Sequence, residues 1–295
     1  MKPKFGRVIT AMITPFAADG SLDVEGARSL AQWLVGQGNE ALVLAGTTGE
    51  SPTITQDEQI ELVEAVVDAV DVPIIAGAGS NDTRSAIANT QRCVDAGAQA
   101  ILSVTPYYNR PSQAGLLAHF AEVAASTDLP IMLYDIPART GRALAADTIL
   151  QLADEVENIV AVKDAAGDVA STARLIAAAP EGFEVYSGED CLTLSLLAVG
   201  AVGTVSVASH WATPEMVVMM DAFFSGDTAT ARATNQRMIP SYDFESGDLT
   251  PNPIPSKAML KVLGLPGGDC RLPMGPEPEW LAERARAVLA GLGRA

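Results

Sequence analysis

The chain has 295 residues, of which 48% are hydrophobic and 19% charged, and its formal net charge is −17. This length allows one large α/β domain or two smaller ones, and the apolar fraction argues against a disordered chain. The strong negative charge argues against nucleic acid or an anionic membrane surface as a partner. A few local arginines or lysines can still hold a small anionic substrate.

The cysteines and the N-terminal region exclude several further classes. Cys93, Cys191 and Cys270 are odd in number and have no metal-like spacing, and the two histidines stand alone. The sequence therefore favours neither a disulfide framework, nor a metal site, nor a Cys/His nucleophile pair. No signal peptide is evident, and no apolar run approaches the length of a membrane span. We expect a cytoplasmic protein.

Apolar runs recur roughly every 20 to 35 residues, the length that a strand-plus-helix unit needs. Eight of them predict strands: Val8–Pro15, Ala41–Ala45, Pro73–Ala78, Ala100–Thr105, Pro130–Tyr134, Ile159–Val162, Phe183–Tyr186 and Val202–Val207. Helical patterns between them include Val24–Gln37, the stretch after Thr55, Asp82–Ala96 and Ala145–Glu155. Beyond about Phe224 only helices are predicted, at Thr228–Ile239, Ile254–Leu263 and Pro278–Leu292.

Strands that alternate with helices in this way predict an α/β fold, a (β/α)8 TIM barrel, with a doubly wound sheet as the alternative. No GxGxxG motif follows the first strand, and Gly77-Ala78-Gly79 lacks the third glycine and the acidic partner of a dinucleotide site. We expect a catalytic barrel over residues 1–225 and a C-terminal helical domain over residues 226–295.

The run Ile159–Val162 leads directly into Lys163, the one lysine between Lys4 and Lys257. Burying an ammonium group without a partner is costly, so a lysine at the end of a buried strand needs an explanation. One is an amine prepared for covalent chemistry with a carbonyl compound. The other is a long side chain whose charged end reaches water or a carboxylate such as Asp164.

Polar residues follow three other strands at the end of the barrel where chemistry takes place in this fold. The loop Gly46–Ser51 contains glycines and hydroxyls that suit a bound carboxylate, or else a turn that caps the next helix. Tyr107 and Tyr108 are interface aromatics, proton-transfer groups, or both. Tyr134 lies one strand away from Lys163, and Arg139 offers a planar fork for a carboxylate or for a surface ion pair.

Five motifs together resemble the dihydrodipicolinate synthase family, within the pyruvate-dependent class I aldolase superfamily that also contains N-acetylneuraminate lyase. They are GTTGES at 46–51, TPYYNRPSQ at 105–113, LYDIPARTG at 133–141, VKDAAG at 162–167 and PNPIPSK at 251–257. The resemblance covers nearly the whole chain. It implies a homotetramer, built as a dimer of dimers, that condenses pyruvate with L-aspartate 4-semialdehyde in the diaminopimelate route to L-lysine.

The resemblance also implies roles for individual residues. Lys163 matches the lysine that forms a covalent imine with pyruvate, so that no metal or organic cofactor is expected. Tyr134 and Thr48, with Tyr108 from a neighbouring subunit, match the proton relay. Further matching positions contact the substrates: Thr47 and Thr48 the pyruvate carboxylate, Arg139 the carboxylate of the aldehyde, and Gly188 and Val205 the pocket wall through their backbones.

The region that resembles a lysine-feedback site is altered. Ser51, Asn81 and Tyr107 are present, but Gln56, Gln59 and Ser85 stand where feedback-sensitive relatives have two histidines and a glutamate. We therefore expect weak or absent inhibition by lysine. Asp135 and Ala138 also differ from the usual pattern, with little expected consequence.

Two other functions are weighed against the synthase. A sister aldolase would cleave a sugar acid, such as N-acetylneuraminate or a 2-keto-3-deoxy acid, and the Thr47-Thr48 pair with Arg139 argues against it. The other alternative is a barrel without catalytic activity that serves as a binding or regulatory subunit. Such a barrel would have no need of the set formed by Lys163, Tyr134, Tyr108 and Thr48.

Overall fold

The computed structural model describes residues 3–294, so that residues 1, 2 and 295, the outermost positions of the two expected domains, lie outside the described residues. Eight parallel strands close into a barrel in sequence order, and β8 pairs with β1. The strands are β1 Val8–Ala11, β2 Ala41–Leu44, β3 Ile74–Gly77, β4 Ala100–Val104, β5 Ile131–Asp135, β6 Ile159–Asp164, β7 Glu184–Ser187 and β8 Gly203–Ser206. The predicted (β/α)8 barrel is confirmed.

Twelve helices are assigned within residues 3–294. Those of the barrel are α1 Val24–Gly36, α2 Gln56–Val67, α3 Thr83–Asp95, α4 Gln113–Ala124, α5 Pro137–Thr140, α6 Ala146–Glu155, α7 Val169–Ala178, α8 Thr193–Ala198 and α9 Ser209–Phe224. The C-terminal ones are α10 Thr228–Glu245, α11 Ile254–Val262 and α12 Leu281–Gly291. Side-chain caps fix several helix starts; Thr55, for example, forms a reciprocal capping box with Glu58. None of these helices is long and apolar enough to cross a membrane.

Alternate residues of each strand face opposite sides, and this divides the core into two layers. Leu42, Ile74 and Leu133 pack outward against the helices, whereas Val43, Ile75 and Met132 fill the barrel interior. On β6, Ala161 belongs to the interior layer. Lys163, two residues further on, therefore also points into the barrel.

The C-terminal helices pack on α9 through a separate apolar cluster that includes Trp211, Met216 and Ile254. Since α9 ends just before residue 225, this cluster joins the two expected domains, and the division between them stays a prediction.

One predicted helix end was wrong. The expected helix Thr228–Ile239 stops before Pro240, but α10 continues to Glu245. Proline removes one backbone donor from the helix. The loss is offset because Phe244 packs edge-to-face on Trp211, with ring centroids 5.7 Å apart. The extra length brings Glu245 to the barrel.

Candidate active site

Lys163 lies inside the carboxyl end of the barrel and is 5% exposed. It is in register with Tyr134 on β5 and with Tyr186 on β7. Its Nζ atom is 4.3 Å from the centroid of the Tyr134 ring, so the amine and the phenol share one small space. The carboxylate of Asp164 does not pair with the Lys163 amine, since it accepts hydrogen bonds from the Ala166 amide and the Thr172 hydroxyl. The structure thus favours an enclosed amine over a side chain that reaches water.

Gly188 is packed directly against Lys163. Its amide donates to the Asp164 carbonyl at 2.7 Å, which fixes it one residue beyond β7. A Cβ atom added there would lie 2.9 Å from Cγ and 3.0 Å from Cε of Lys163. Glycine is therefore required if the lysine is to keep its position.

The loop after β2 brings Thr48 to the same end of the barrel. Ala45 and Glu50 have left-handed backbone angles, φ 52° and 55°, and a Cβ on Gly49 would lie 2.9 Å from the Ala45 nitrogen. This tight fold buries the Thr48 side chain and leaves Thr47 half-buried. The Thr48 hydroxyl oxygen accepts a hydrogen bond from Asn252 Nδ2 at 2.9 Å. A residue of the C-terminal region thus orients this hydroxyl.

Glu50 and Lys257 form a buried ion pair that the sequence analysis did not single out. Lys257 Nζ lies 2.6 Å from Glu50 Oε1, both side chains are almost fully buried, and the amine also sits 4.1 Å from the centroid of the Phe16 ring. Burial lowers the pKa of Lys257, and Glu50 opposes that shift. The other oxygen, Oε2 of Glu50, accepts from the Arg271 amide at 2.9 Å. Glu50 lies in the motif GTTGES and Lys257 in the motif PNPIPSK. Membership of these two motifs was the signal by which the sequence could have pointed to the pair.

Tyr108 is not at the site of its own chain. Its side chain is 91% exposed, and that of Tyr107 is 41% exposed. Tyr108 and Arg110 have left-handed backbone angles, φ 74° and 49°, and the Tyr108 amide donates to the Thr140 carbonyl at 3.4 Å. Within one chain the structure therefore brings together Lys163, Tyr134 and Gly188 but not Tyr108.

Arg139 and Val205 occupy opposite positions with respect to solvent. Arg139 is exposed on the short helix α5 at the mouth, whereas Val205 on β8 is buried in the interior layer with Tyr134. A residue that sequence reasoning missed, Glu189, interacts electrostatically with both Lys163 and Arg139. Burial raises the pKa of Glu189 and Asp190 adds to this, while the positive charges of Lys163 and Arg139 oppose it. The acidic pair Glu189-Asp190, which begins two residues after β7, was the signal that could have found it.

Several polar groups in the region compared above with a feedback site are engaged within the chain. Asn81 Nδ2 donates to the Tyr107 carbonyl at 3.1 Å, and Ser51 is exposed at the start of a short 3-10 turn. Gln59 Nε2 donates to the Gly77 carbonyl at 2.9 Å, and the amide and hydroxyl of Ser85 donate to the carboxylate of Asp82, which caps α3. No group of three or more His, Cys, Asp or Glu side chains within residues 3–294 is arranged to hold a metal ion.

Comparison with known proteins agrees with this geometry. A family model described as the dihydrodipicolinate synthetase family matches residues 4–290. The 4-hydroxy-tetrahydrodipicolinate synthase of Moorella thermoacetica is 47% identical over 292 residues, covering 98% of this chain and 99% of the relative. That of Bacillus subtilis is 46% identical over 277 residues, covering 93% and 95%. The lysine-bound structure of the enzyme from Cyanidioschyzon merolae is 42% identical and covers 100% of both chains with a TM-score of 0.96. The chain belongs to the dihydrodipicolinate synthetase family.

Proposed function

We propose that this chain is a 4-hydroxy-tetrahydrodipicolinate synthase that condenses pyruvate with L-aspartate 4-semialdehyde in the diaminopimelate route to L-lysine. The observation that carries the proposal is the amine of Lys163, enclosed at the carboxyl end of β6 between the Tyr134 ring and Gly188. The names and coverage of the relatives support the same reaction.

The chemistry proceeds through an imine. The Lys163 amine attacks the keto carbon of pyruvate and water leaves, which forms an iminium ion. The iminium draws electrons from the adjacent methyl group, so that a proton is lost and an enamine forms. The enamine attacks the aldehyde carbon of the second substrate. The amino group of that substrate then displaces Lys163 and closes the ring, with one water released overall. No cofactor is needed because the iminium is the electron sink.

The proposed proton relay runs through Tyr134 and Thr48. Tyr134 is buried beside the Lys163 amine, so its hydroxyl would be close enough to exchange protons with a substrate bound to that amine. The Thr48 oxygen already accepts from Asn252, so its own hydrogen is free to donate along the relay. Thr47 and Thr48 would contact the pyruvate carboxylate, Gly188 and Val205 would line the pocket, and Arg139 would bind the carboxylate of the aldehyde at the mouth.

Trapping with borohydride tests the central step. Pyruvate followed by borohydride should add one reduced adduct to the wild-type chain and none to Lys163→Ala, and turnover should disappear with the adduct. Lys261→Ala is the matched control, because that lysine is partly exposed and pairs with Asp269 and Glu277. An adduct on Lys163→Ala would refute the assignment. An adduct without turnover on the semialdehyde would instead favour the sugar-acid aldolase.

We propose further that the active form is a homotetramer in which Tyr108 completes the relay of a neighbouring subunit. Its exposure in the single chain supports this. Lys163→Ala and Tyr108→Ala should each be nearly inactive. After mixing and subunit exchange, activity should return, because a mixed pair holds one site with both residues. No recovery, despite exchange shown by native mass spectrometry, would contradict the shared site.

A further inference from the structure

Asp190 and Glu245 are two buried carboxyl groups that lie next to each other outside the proposed relay. Asp190 is 3% exposed and begins a 3-10 turn after β7, and Glu245 is 8% exposed at the end of α10. Oδ2 of Asp190 accepts three hydrogen bonds, from the Ser206 hydroxyl at 2.9 Å and from the amides of Val207 at 2.9 Å and Ala208 at 2.8 Å. One carboxylate thus binds both the end of β8 and the start of α9 through hydrogen bonds.

One oxygen atom of each carboxyl group has no other donor. Oδ1 of Asp190 and Oε2 of Glu245 are both fully buried and unpartnered by any other group of the described chain. The two side chains are within hydrogen-bonding contact of each other. Since two ionised carboxylates cannot remain in contact in a buried site, one of them holds a proton. Asp190 already receives three donors, so the proton is assigned to Glu245.

The surroundings of Glu245 favour its neutral form. The titratable groups that act on it are all acidic: Asp190, Glu189 and Cys191 from the segment after β7. Glu245 in turn raises the pKa of Tyr242 on its own helix. Burial raises the pKa of Glu245 well above its ordinary value, and the charge of Asp190 raises it further. A single proton satisfies both orphaned oxygens.

We propose that Glu245 is a positioning residue for the condensation reaction: as a neutral carboxyl group it donates a hydrogen bond to Oδ1 of Asp190 and so holds the ends of β7 and β8 in place. This inference rests on the proposed function. Asp190 is two residues from Gly188, which contacts Lys163, and it binds the amide two residues after Val205. A shift of Asp190 would therefore move two walls of the pocket at once.

The test compares Glu245→Gln with Glu245→Leu. Glutamine keeps a donor for Asp190, whereas leucine leaves Oδ1 of Asp190 buried and unpaired. We expect kcat/KM of Glu245→Gln to stay within about threefold of wild type, and that of Glu245→Leu to fall at least about tenfold, mainly through a higher KM for pyruvate. Equal loss in the two variants, or no loss in either, would overturn the proposal.

A stability measurement keeps the proposal testable if Glu245→Leu does not fold. A carboxyl group whose pKa is raised in the folded state contributes stability that is complete below its unfolded pKa and is lost as the pH rises toward the folded pKa. The melting temperature of wild type should therefore fall as the pH rises above the ordinary pKa of a glutamate, about 4.3, and fall more steeply than that of Glu245→Gln. Parallel curves would refute a proton on Glu245. Borohydride trapping, run on the same samples, separately reports whether the imine forms, so failure of the proposed function is distinguishable.

Discussion

Gly188→Ala is the smallest change that reaches the reactive amine without altering a titratable group. The backbone of Gly188 is not left-handed, so alanine meets no conformational barrier of its own. The added methyl group would lie 2.9 Å from Cγ and 3.0 Å from Cε of Lys163, and 3.0 Å from Cβ of Ala165. All three contacts fall on the wall that holds the amine.

The size of the effect follows from these distances. Carbon atoms in good contact are about 3.5–4.0 Å apart, so each contact is too close by roughly 0.5–1 Å. Overpacking of this kind costs about 1–3 kcal/mol when the neighbours are buried, as Lys163 is. If the lysine moves away instead, a displacement of about 1 Å at a reacting group costs up to about a hundredfold in rate. We expect imine formation to slow between about tenfold and a hundredfold.

Imine formation under single-turnover conditions is the appropriate assay, since it isolates Lys163 from later steps. Samples mixed with pyruvate are quenched with borohydride at successive times and the adduct is quantified by mass spectrometry. Gly36→Ala is the matched control, because a Cβ there meets nothing within 4 Å and the position is in helix α1. A folded Gly188→Ala protein that forms the adduct within about twofold of the wild-type rate would refute the argument.

Three further predictions concern the groups around the site. Lys257→Met leaves the buried Glu50 carboxylate without its cation and should cost about 3–5 kcal/mol in urea unfolding, while adding Glu50→Gln should recover part of the loss. If the double variant is no more stable than Lys257→Met alone, the unpaired Glu50 carboxylate is not the cause of the lost stability. Asn252→Ala removes the donor to the Thr48 oxygen and should lower kcat about tenfold with a small change in melting temperature. An unchanged kcat would count against the relay. L-lysine should inhibit weakly or not at all, with Ser85 in place of a glutamate, and half-inhibition at sub-millimolar concentration would contradict this.

The fold was predictable because its strands are buried on both faces and are separated by helices of regular length. Each of the eight expected runs overlaps one observed strand, and the helix after Thr55 begins where its capping box places it. The end of α10 was not predictable from local preference. Pro240 is a local stop signal, and only the packing of Phe244 on Trp211, which are far apart in sequence, carries the helix past it.

The same distinction applies to the site. Lys163 and Tyr134 could be expected together because both end buried strands that neighbour each other in a barrel. The pairing of Glu50 with Lys257, and of Asp190 with Glu245, could not be expected. Each joins the barrel to the C-terminal helices, and no periodicity in the sequence encodes how those helices dock.

The loop that carries Tyr108 has a strained backbone, and burial of the Tyr108 ring within the single chain does not compensate for that strain. Left-handed backbone angles at Tyr108 and Arg110 each cost about 1–3 kcal/mol for residues with a side chain. Asn81 and Asn109 hold the loop with hydrogen bonds at 3.1 and 2.7 Å, yet the aromatic ring gains no burial in return. A held but exposed aromatic side chain is typical of an interface, where its burial occurs against another surface. The strain therefore argues for an interface at this loop on grounds that are independent of family resemblance.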